Sequence, residues 1–253
     1  SINYAERIQR ALMSGETILK RYVKDYFIYF NPKEAVSGDF YWATECRLAV
    51  EGGSQQSFFL AVCDSTGHGV PGAIMSMLNI NSLKKAVDEK ITDPGEILNH
   101  TRNLIISTLA NDGSPEGGKD GMDACLVCLD VKEMKLKFAL ANNPLWLCRN
   151  NTITEYNPDK MPVGKHDKQN IPFRSHEITL EKNDMLYLFT DGYADQFGGA
   201  KNKKFKYSNL KLLLTSHSHL PCHQLKEKLD EEFQKWKGEM EQTDDVCIIG
   251  VRV

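Results

Sequence analysis

The sequence contains no apolar run near the roughly 18 residues that a membrane-spanning helix requires. Its first residues, Ser1-Ile2-Asn3-Tyr4-Ala5-Glu6-Arg7, lack the basic-then-apolar form of a secretory leader. A dominant charge is also missing, since 31 basic and 34 acidic side chains leave a net charge of -3. No broad basic field is available to draw the chain to nucleic acid or anionic lipid, so neither is expected as a partner. Cysteine is scarce and odd in number, with 7 residues, several inside apolar runs such as Phe58-Phe59-Leu60-Ala61-Val62-Cys63. That argues for reduced, buried thiols rather than a disulfide framework. Cys125 and Cys128 have C-x-x-C spacing, but on a strand their side chains point to opposite faces, which suits neither zinc nor redox chemistry. Internal repeats and low-complexity tracts are absent. The expectation is a cytoplasmic chain, with membrane attachment only through an upstream region of a longer protein.

With 253 residues and 41% hydrophobic content, the chain can bury one substantial core. Residues 2–13 place Ile2, Ala5, Ile8 and Leu12 on one stripe, the pattern of an amphipathic helix that starts without a cap. We therefore expect residues 1–20 to be a linker or signalling helix ending a longer upstream region, and residues 21–253 to be one catalytic domain. Runs rich in aromatic or β-branched residues at 26–30, 40–42 and 58–63 predict three strands that pair antiparallel with one another. Glycines 67, 69 and 72 with Pro71 break that pattern before helical spacing resumes over 73–87 and 94–109. The polar run 111–121 reads as an exposed loop. Further strands are expected at 122–130, 135–141, 145–149, 185–190 and 246–251, and helices at 208–215 and 222–236. This order predicts an α+β fold with antiparallel sheets and segregated helices.

The aspartates fall in telling places. Asp39 opens the run Phe40-Tyr41-Trp42, Asp64 ends Leu60-Ala61-Val62-Cys63, Asp191 ends Leu186-Tyr187-Leu188-Phe189-Thr190, and Asp244-Asp245 precede the final strand. A carboxylate beside a buried apolar run is costly to desolvate unless a cation or donors compensate it. Several of them at one sheet edge would make the oxygen-rich site that magnesium or manganese prefers. Each taken singly is better explained as an ordinary turn residue bonding its own backbone. The distinguishing feature is four such strand ends together with a glycine turn into a helix after Asp64.

The motifs Val36-Ser37-Gly38-Asp39-Phe40-Tyr41, Asp64-Ser65-Thr66-Gly67-His68-Gly69-Val70-Pro71-Gly72-Ala73, Phe189-Thr190-Asp191-Gly192 and Thr243-Asp244-Asp245 occur in that order. The series resembles the SpoIIE/RsbU-type serine phosphatases, the bacterial branch of the metal-dependent phosphatases (PPM) that include protein phosphatase 2C. The resemblance runs from about residue 25 to residue 253, and Ile2-Asn3-Tyr4-Ala5-Glu6-Arg7-Ile8-Gln9 is similar to the helix joining such domains to an upstream sensor. It implies an αββα four-layer sandwich with two divalent cations, Mn or Mg, at one edge. Asp39 would lie between the cations, Asp64 would bridge them, the Ser65 carbonyl would add an oxygen, and Asp191 and Asp244 would complete the second position. Asp244 matches the family's ligand better than Asp245, and the two remain to be tested together.

A site of this kind activates water for in-line attack on phosphorus without a phosphoenzyme. None of the cysteines lies in the Gly/Arg context that a thiolate phosphatase needs. His68 is a candidate to protonate the leaving oxygen, and Lys33 a candidate to meet substrate phosphate. In place of the family's Ala-Gly-His-Asn-Pro stands Leu140-Ala141-Asn142-Asn143-Pro144, which removes the histidine at position 142. The resemblance implies a phosphorylated regulatory protein as substrate, such as an anti-sigma-factor antagonist, and a homodimer is reasonable given the amphipathic N-terminal helix. A catalytically silent binding module of the same fold is the alternative, disfavoured because it has no chemical reason to keep the four carboxylates.

Overall fold

The computed structural model describes residues 2–13, 15–50, 53–110 and 118–253. Residues 111–117 of the expected exposed loop lie outside the described residues. The chain opens with helices α1 (Ile2–Leu12) and α2 (Glu16–Tyr22), followed by strands β1 (Asp25–Asn31), β2 (Asp39–Val50) and β3 (Gly53–Ser65). Helices α3 (Gly69–Asp88) and α4 (Pro94–Leu109) come next, then β4 (Gly121–Asp130), β5 (Lys135–Ala141), β6 (Leu145–Arg149) and β7 (Thr152–Tyr156). The short β8 (Val163–Gly164) and β9 (His176–Thr179) lead to β10 (Met185–Phe189) and the single turn α5 (Gly192–Asp195). A small hairpin of β11 (Phe197–Gly198) and β12 (Lys203–Lys204) precedes α6 (Tyr207–Ser216), α7 (Cys222–Lys237) and β13 (Val246–Arg252). Asp93 caps α4 by accepting from the Glu96 N–H at 3.1 Å, with Pro94 in the first turn where its missing donor costs nothing.

The strands form two antiparallel sheets, one ordered β1-β13-β10-β6-β7 and the other β2-β3-β4-β5-β9 with β8 added on β4. Strand alternation sorts their side chains into three apolar layers. Phe58, Leu60, Val62, Cys125 and Val127 from one sheet meet Leu186, Leu188, Cys247 and Ile249 from the other in the central layer. Phe59, Ala61 and Leu126 face Ile80 and Leu83 of α3 and Ile97 of α4 on one outer side. Phe27, Tyr187 and Ile248 face Leu225 and Phe233 of α7 on the other. The result is the αββα sandwich expected. Cys125 lies in the central layer and Cys128 against the helix layer, so the C-x-x-C pair is split between faces.

One expectation needs correction. Strands β2 and β3 pair from Asp39↔Asp64 to Val50↔Gly53, but β1 joins the opposite sheet, pairing with β13 from Asp25↔Arg252 to Asn31↔Val246. The reason lies in β13, whose residues 246–251 are all buried. A strand apolar on both faces must sit inside a sheet, and β1 supplies the second neighbour beside β10. Helix α2, strands β7 and β9 and the short elements β8, α5, β11 and β12 have no counterpart among the expected elements. Strands β7 and β9 are sheet edges with mostly exposed, polar side chains, so they carry little apolar signal and discourage edge-to-edge pairing. Among the described residues no helix is long and apolar enough to cross a membrane.

Candidate functional site

Three carboxylates come from one sheet. Asp39 of β2 stands directly opposite Asp64 of β3, and Asp64 directly opposite Asp123 of β4. Residues paired in register share a face, and this is the face that carries Leu60, Val62 and Cys125 into the central layer. The inner apolar stripes thus end in a row of acids at the edge of the sandwich. Asp123 was missed by sequence reasoning because its neighbours Met122 and Ala124 made the run look like plain core. The available signal was a carboxylate two residues into an otherwise apolar strand.

The other sheet brings Asp191, just past β10, and the pair Asp244-Asp245, just before β13. Thr190 ties the sheets together: its Oγ1 donates to Asp39 Oδ2 at 2.5 Å and accepts from the Cys247 N–H at 3.0 Å. A Cβ on Gly192 would collide with the Asp245 carbonyl, so only glycine lets the chain turn so closely after Asp191. Similar crowding surrounds the Gly67 carbonyl, where Cβ atoms on Gly38 or Gly72 would clash. These glycines bring the loops after Asn31 and after Asp64 into contact.

The two neighbouring aspartates differ. Asp245 is 2% exposed, and its oxygens accept from the Lys33 and Gly38 N–H groups, each at 2.8 Å. It fixes both ends of the loop that leads into Asp39. The Asp244 carboxylate is exposed and, among the described residues, accepts from the Asp245 N–H alone, at 2.8 Å. Ser65 is buried, and its hydroxyl accepts from Asn79 Nδ2 of α3 at 3.0 Å.

Placed so close, these acids raise one another's affinity for protons. Burial, followed by repulsion from Asp64, holds the Asp39 carboxyl well above the usual range. Burial and then the charges of Asp191, Asp123 and Asp244 push Asp64 up to about 8. Burial and then Asp195 and Asp244 push Asp191 up to about 6. Asp123 is raised by burial and lowered by the amide of Asn142, which donates to Asp123 Oδ1 at 2.8 Å. Like charges held together in this way are stable only when protons or a cation offset them. Among the described residues no group of three or more His, Cys, Asp or Glu side chains is already placed so that it could hold a metal ion. Magnesium needs no such group, since it keeps several waters and takes one or two carboxylates. The hard oxygen donors, their burial and their mutual repulsion fit such cations.

Other candidates stand as follows. His68 lies in the turn after Asp64, its Nδ1 3.0 Å from Glu34 Oε1. The exposed Lys33 side chain donates to the Thr243 carbonyl at 3.1 Å, one residue from Asp244. Lys204 pairs with Asp195 at 2.7 Å on the rim beside Asp191. Asn142 adopts a left-handed φ of 56°, which asparagine tolerates well, so this residue still serves the cluster through Asp123.

The family model described as Stage II sporulation protein E (SpoIIE) matches residues 54–253. The phosphoserine phosphatase RsbP of Bacillus subtilis (strain 168) is 24% identical over 230 residues, covering 89% of this chain and 51% of RsbP. The chain thus spans about half the length of that curated relative. The solved SiaA-PP2C domain of Pseudomonas aeruginosa superposes with a TM-score of 0.85 at 29% identity, covering 100% of this chain and 96% of that one. The PP2C phosphatase domain of SpoIIE from Bacillus subtilis gives a TM-score of 0.68 at 18% identity, covering 90% and 63%, a likeness of fold.

Proposed function

This chain belongs to the SpoIIE family, a branch of the PP2C-like phosphatase fold, and we propose that it is a metal-dependent serine/threonine protein phosphatase. Its substrate is a phosphoserine on a regulatory protein, with an anti-sigma-factor antagonist as the expected type. The observation that carries this reading is the row Asp39, Asp64 and Asp123, facing Asp191 and Asp244 across the mouth of the sandwich. Asp39, Asp64, the Ser65 carbonyl, Asp191 and Asp244 are the groups we assign to hold two divalent cations, manganese or magnesium. When bound, these cations would lower the pKa of water and neutralise charge on the phosphoryl group.

The chain's own residues do the rest. The Thr190 hydroxyl and the loop pinned by Asp245 hold Asp39 in place, so the site need not reorganise on binding. Asp245 then acts by positioning Asp39 rather than by ligation. His68 is assigned to protonate the leaving serine oxygen. Residues 1–20 are assigned to relay an upstream signal, with Gln9 linking α1 to the domain.

The test is phosphate release from a phosphoserine peptide and from para-nitrophenyl phosphate, with manganese and with chelator, together with calorimetric titration of manganese. Wild type should turn over both substrates only with the cation. Asp64→Asn and Asp191→Asn should each lose at least about 100-fold in rate and bind manganese more weakly. Activity that survives chelator or both substitutions refutes the mechanism. Manganese binding without turnover of either substrate would instead favour a silent binding module.

A further inference from the structure

The loop from Pro32 to Gly38 carries a carboxylate that the cluster does not use. Glu34 Oε1 lies 3.0 Å from His68 Nδ1. The chain makes room for this contact at Gly69, which has a φ of +59°, and a Cβ there would stand 2.8 Å and 2.9 Å from the two Glu34 oxygens. Any other residue at position 69 would be strained and would displace the carboxylate. Glu34 is also carried on a fastened segment. Asp245 accepts from the N–H groups of Lys33 and Gly38, and Gln9 bonds both backbone groups of Ser37. Among the described residues His68 Nε2 has no hydrogen-bond partner.

Resting on the phosphatase reading above, we propose that Glu34 is a positioning residue for His68. It accepts the Nδ1 proton, fixes the imidazole in one tautomer and orientation, and leaves Nε2 to serve the leaving group. In the step, a water oxygen bonds to phosphorus as the bond from phosphorus to the serine oxygen breaks, and the protons of that water stay on the inorganic phosphate released. The proton on Nε2 of the imidazolium passes to the serine oxygen, giving a serine hydroxyl and a neutral His68 whose Nδ1 keeps its proton and donates it in the hydrogen bond to Glu34. The carboxylate stays ionised throughout and stabilises the imidazolium before transfer, as an orienting acid does for a catalytic histidine.

A simpler role competes with this one. Glu34 also places negative charge near the start of α3, a helix of 20 residues, which would stabilise the helix without any catalytic consequence. The two roles separate by leaving group, because protonation matters little when the departing oxygen is already a good leaving group. The experiment uses Glu34→Gln, a near-isosteric change at a half-exposed side chain, with His68→Asn as the reference.

Manganese-dependent kcat is measured on the phosphoserine peptide and on aryl phosphates of increasing leaving-group pKa. Nitrogen-15 NMR of the histidines reports the tautomer in the cation-free protein. The expected result is a loss of about tenfold to 100-fold on the phosphoserine peptide. The slope of log kcat against leaving-group pKa should steepen towards that of His68→Asn, and the Nδ1–H tautomer of His68 should lose population. A lower melting temperature with unchanged slope and tautomer overturns the proposal and leaves Glu34 as a helix cap. A wild type that hydrolyses neither substrate refutes the phosphatase reading and this role with it. A wild type that is active beside a variant of unchanged slope refutes this role alone.

Discussion

Without divalent cation, the protein should become less stable as pH rises from about 5 to about 8, the opposite of ordinary carboxylate behaviour. Asp64 and Asp191 have folded pKa values of about 8 and about 6 against an ordinary 3.8. Because folding raises them, the folded chain holds protons that the unfolded chain releases. Their stabilising effect is complete below the unfolded value and is lost as pH passes through the folded one. For Asp191 the rise corresponds to about 3 kcal/mol, and for Asp64 to roughly 6 kcal/mol if it titrated alone. Part of each effect is already lost below pH 5, so the fall across the window is about 5 kcal/mol. For a chain of this size that is a fall of about 10 to 20 °C in melting temperature. The assay is thermal unfolding in chelator at several pH values across this window, repeated with manganese. Manganese should abolish the fall by replacing the protons, and Asp64→Asn should flatten it in chelator. A melting temperature in chelator that stays level or rises over the window would refute the buried, mutually repelling cluster.

Asp244 and Asp245 should fail in different ways. Asp245→Ala strands two backbone N–H groups and should cost about 3 kcal/mol in denaturant unfolding. Asp244→Ala should cost under about 1 kcal/mol in chelator, yet weaken manganese binding at least tenfold by calorimetry. Gln9→Ala breaks bonds of 2.5 Å to the Ser37 carbonyl, 3.1 Å from the Ser37 N–H and 2.8 Å to Ser76 Oγ. It should cost about 2 kcal/mol in unfolding and, by loosening the segment before Asp39, reduce manganese affinity in the same titration. Asn142→Gly keeps the left-handed backbone but removes the donor to Asp123, so manganese affinity should change with little loss of melting temperature. Asn142→Ala should in addition destabilise by about 1 kcal/mol, since alanine resists that conformation.

The fold was legible wherever a segment contrasts with its surroundings. Strands β5 and β6 and helix α4 match the expected spans because apolar periodicity and flanking turn residues agree there. Helix α2 was hidden by length, since its seven residues give too few turns for a stripe. Leu19 is nevertheless buried in the central layer and Met13 in the helix layer, so this N-terminal stretch belongs to the packing of the sandwich. The partner of β1 could not be read because pairing is a property of two strands. What decided it was β13, 215 positions further on at the Asn31↔Val246 pair, which needed a neighbour on each side.

The site divides along the same line. Asp39, Asp64 and Asp191 were visible because each interrupts an apolar run at its end, where the cost of burying a carboxylate demands an explanation. Asp123 carries the same cost, but it sits inside its run, and only the register Asp64↔Asp123 shows that it faces the others. Asp244 and Asp245 are adjacent in sequence and equivalent by composition. They separate only when the loop after Asn31 folds back and offers two N–H groups to one of them. A carboxylate already satisfied by two backbone donors has little to gain from a cation, whereas an exposed one beside a repelling cluster has much. Residue type and spacing therefore select the acids that must be compensated. The backbone that reaches each acid decides which of them is already satisfied by donors and which still needs compensation.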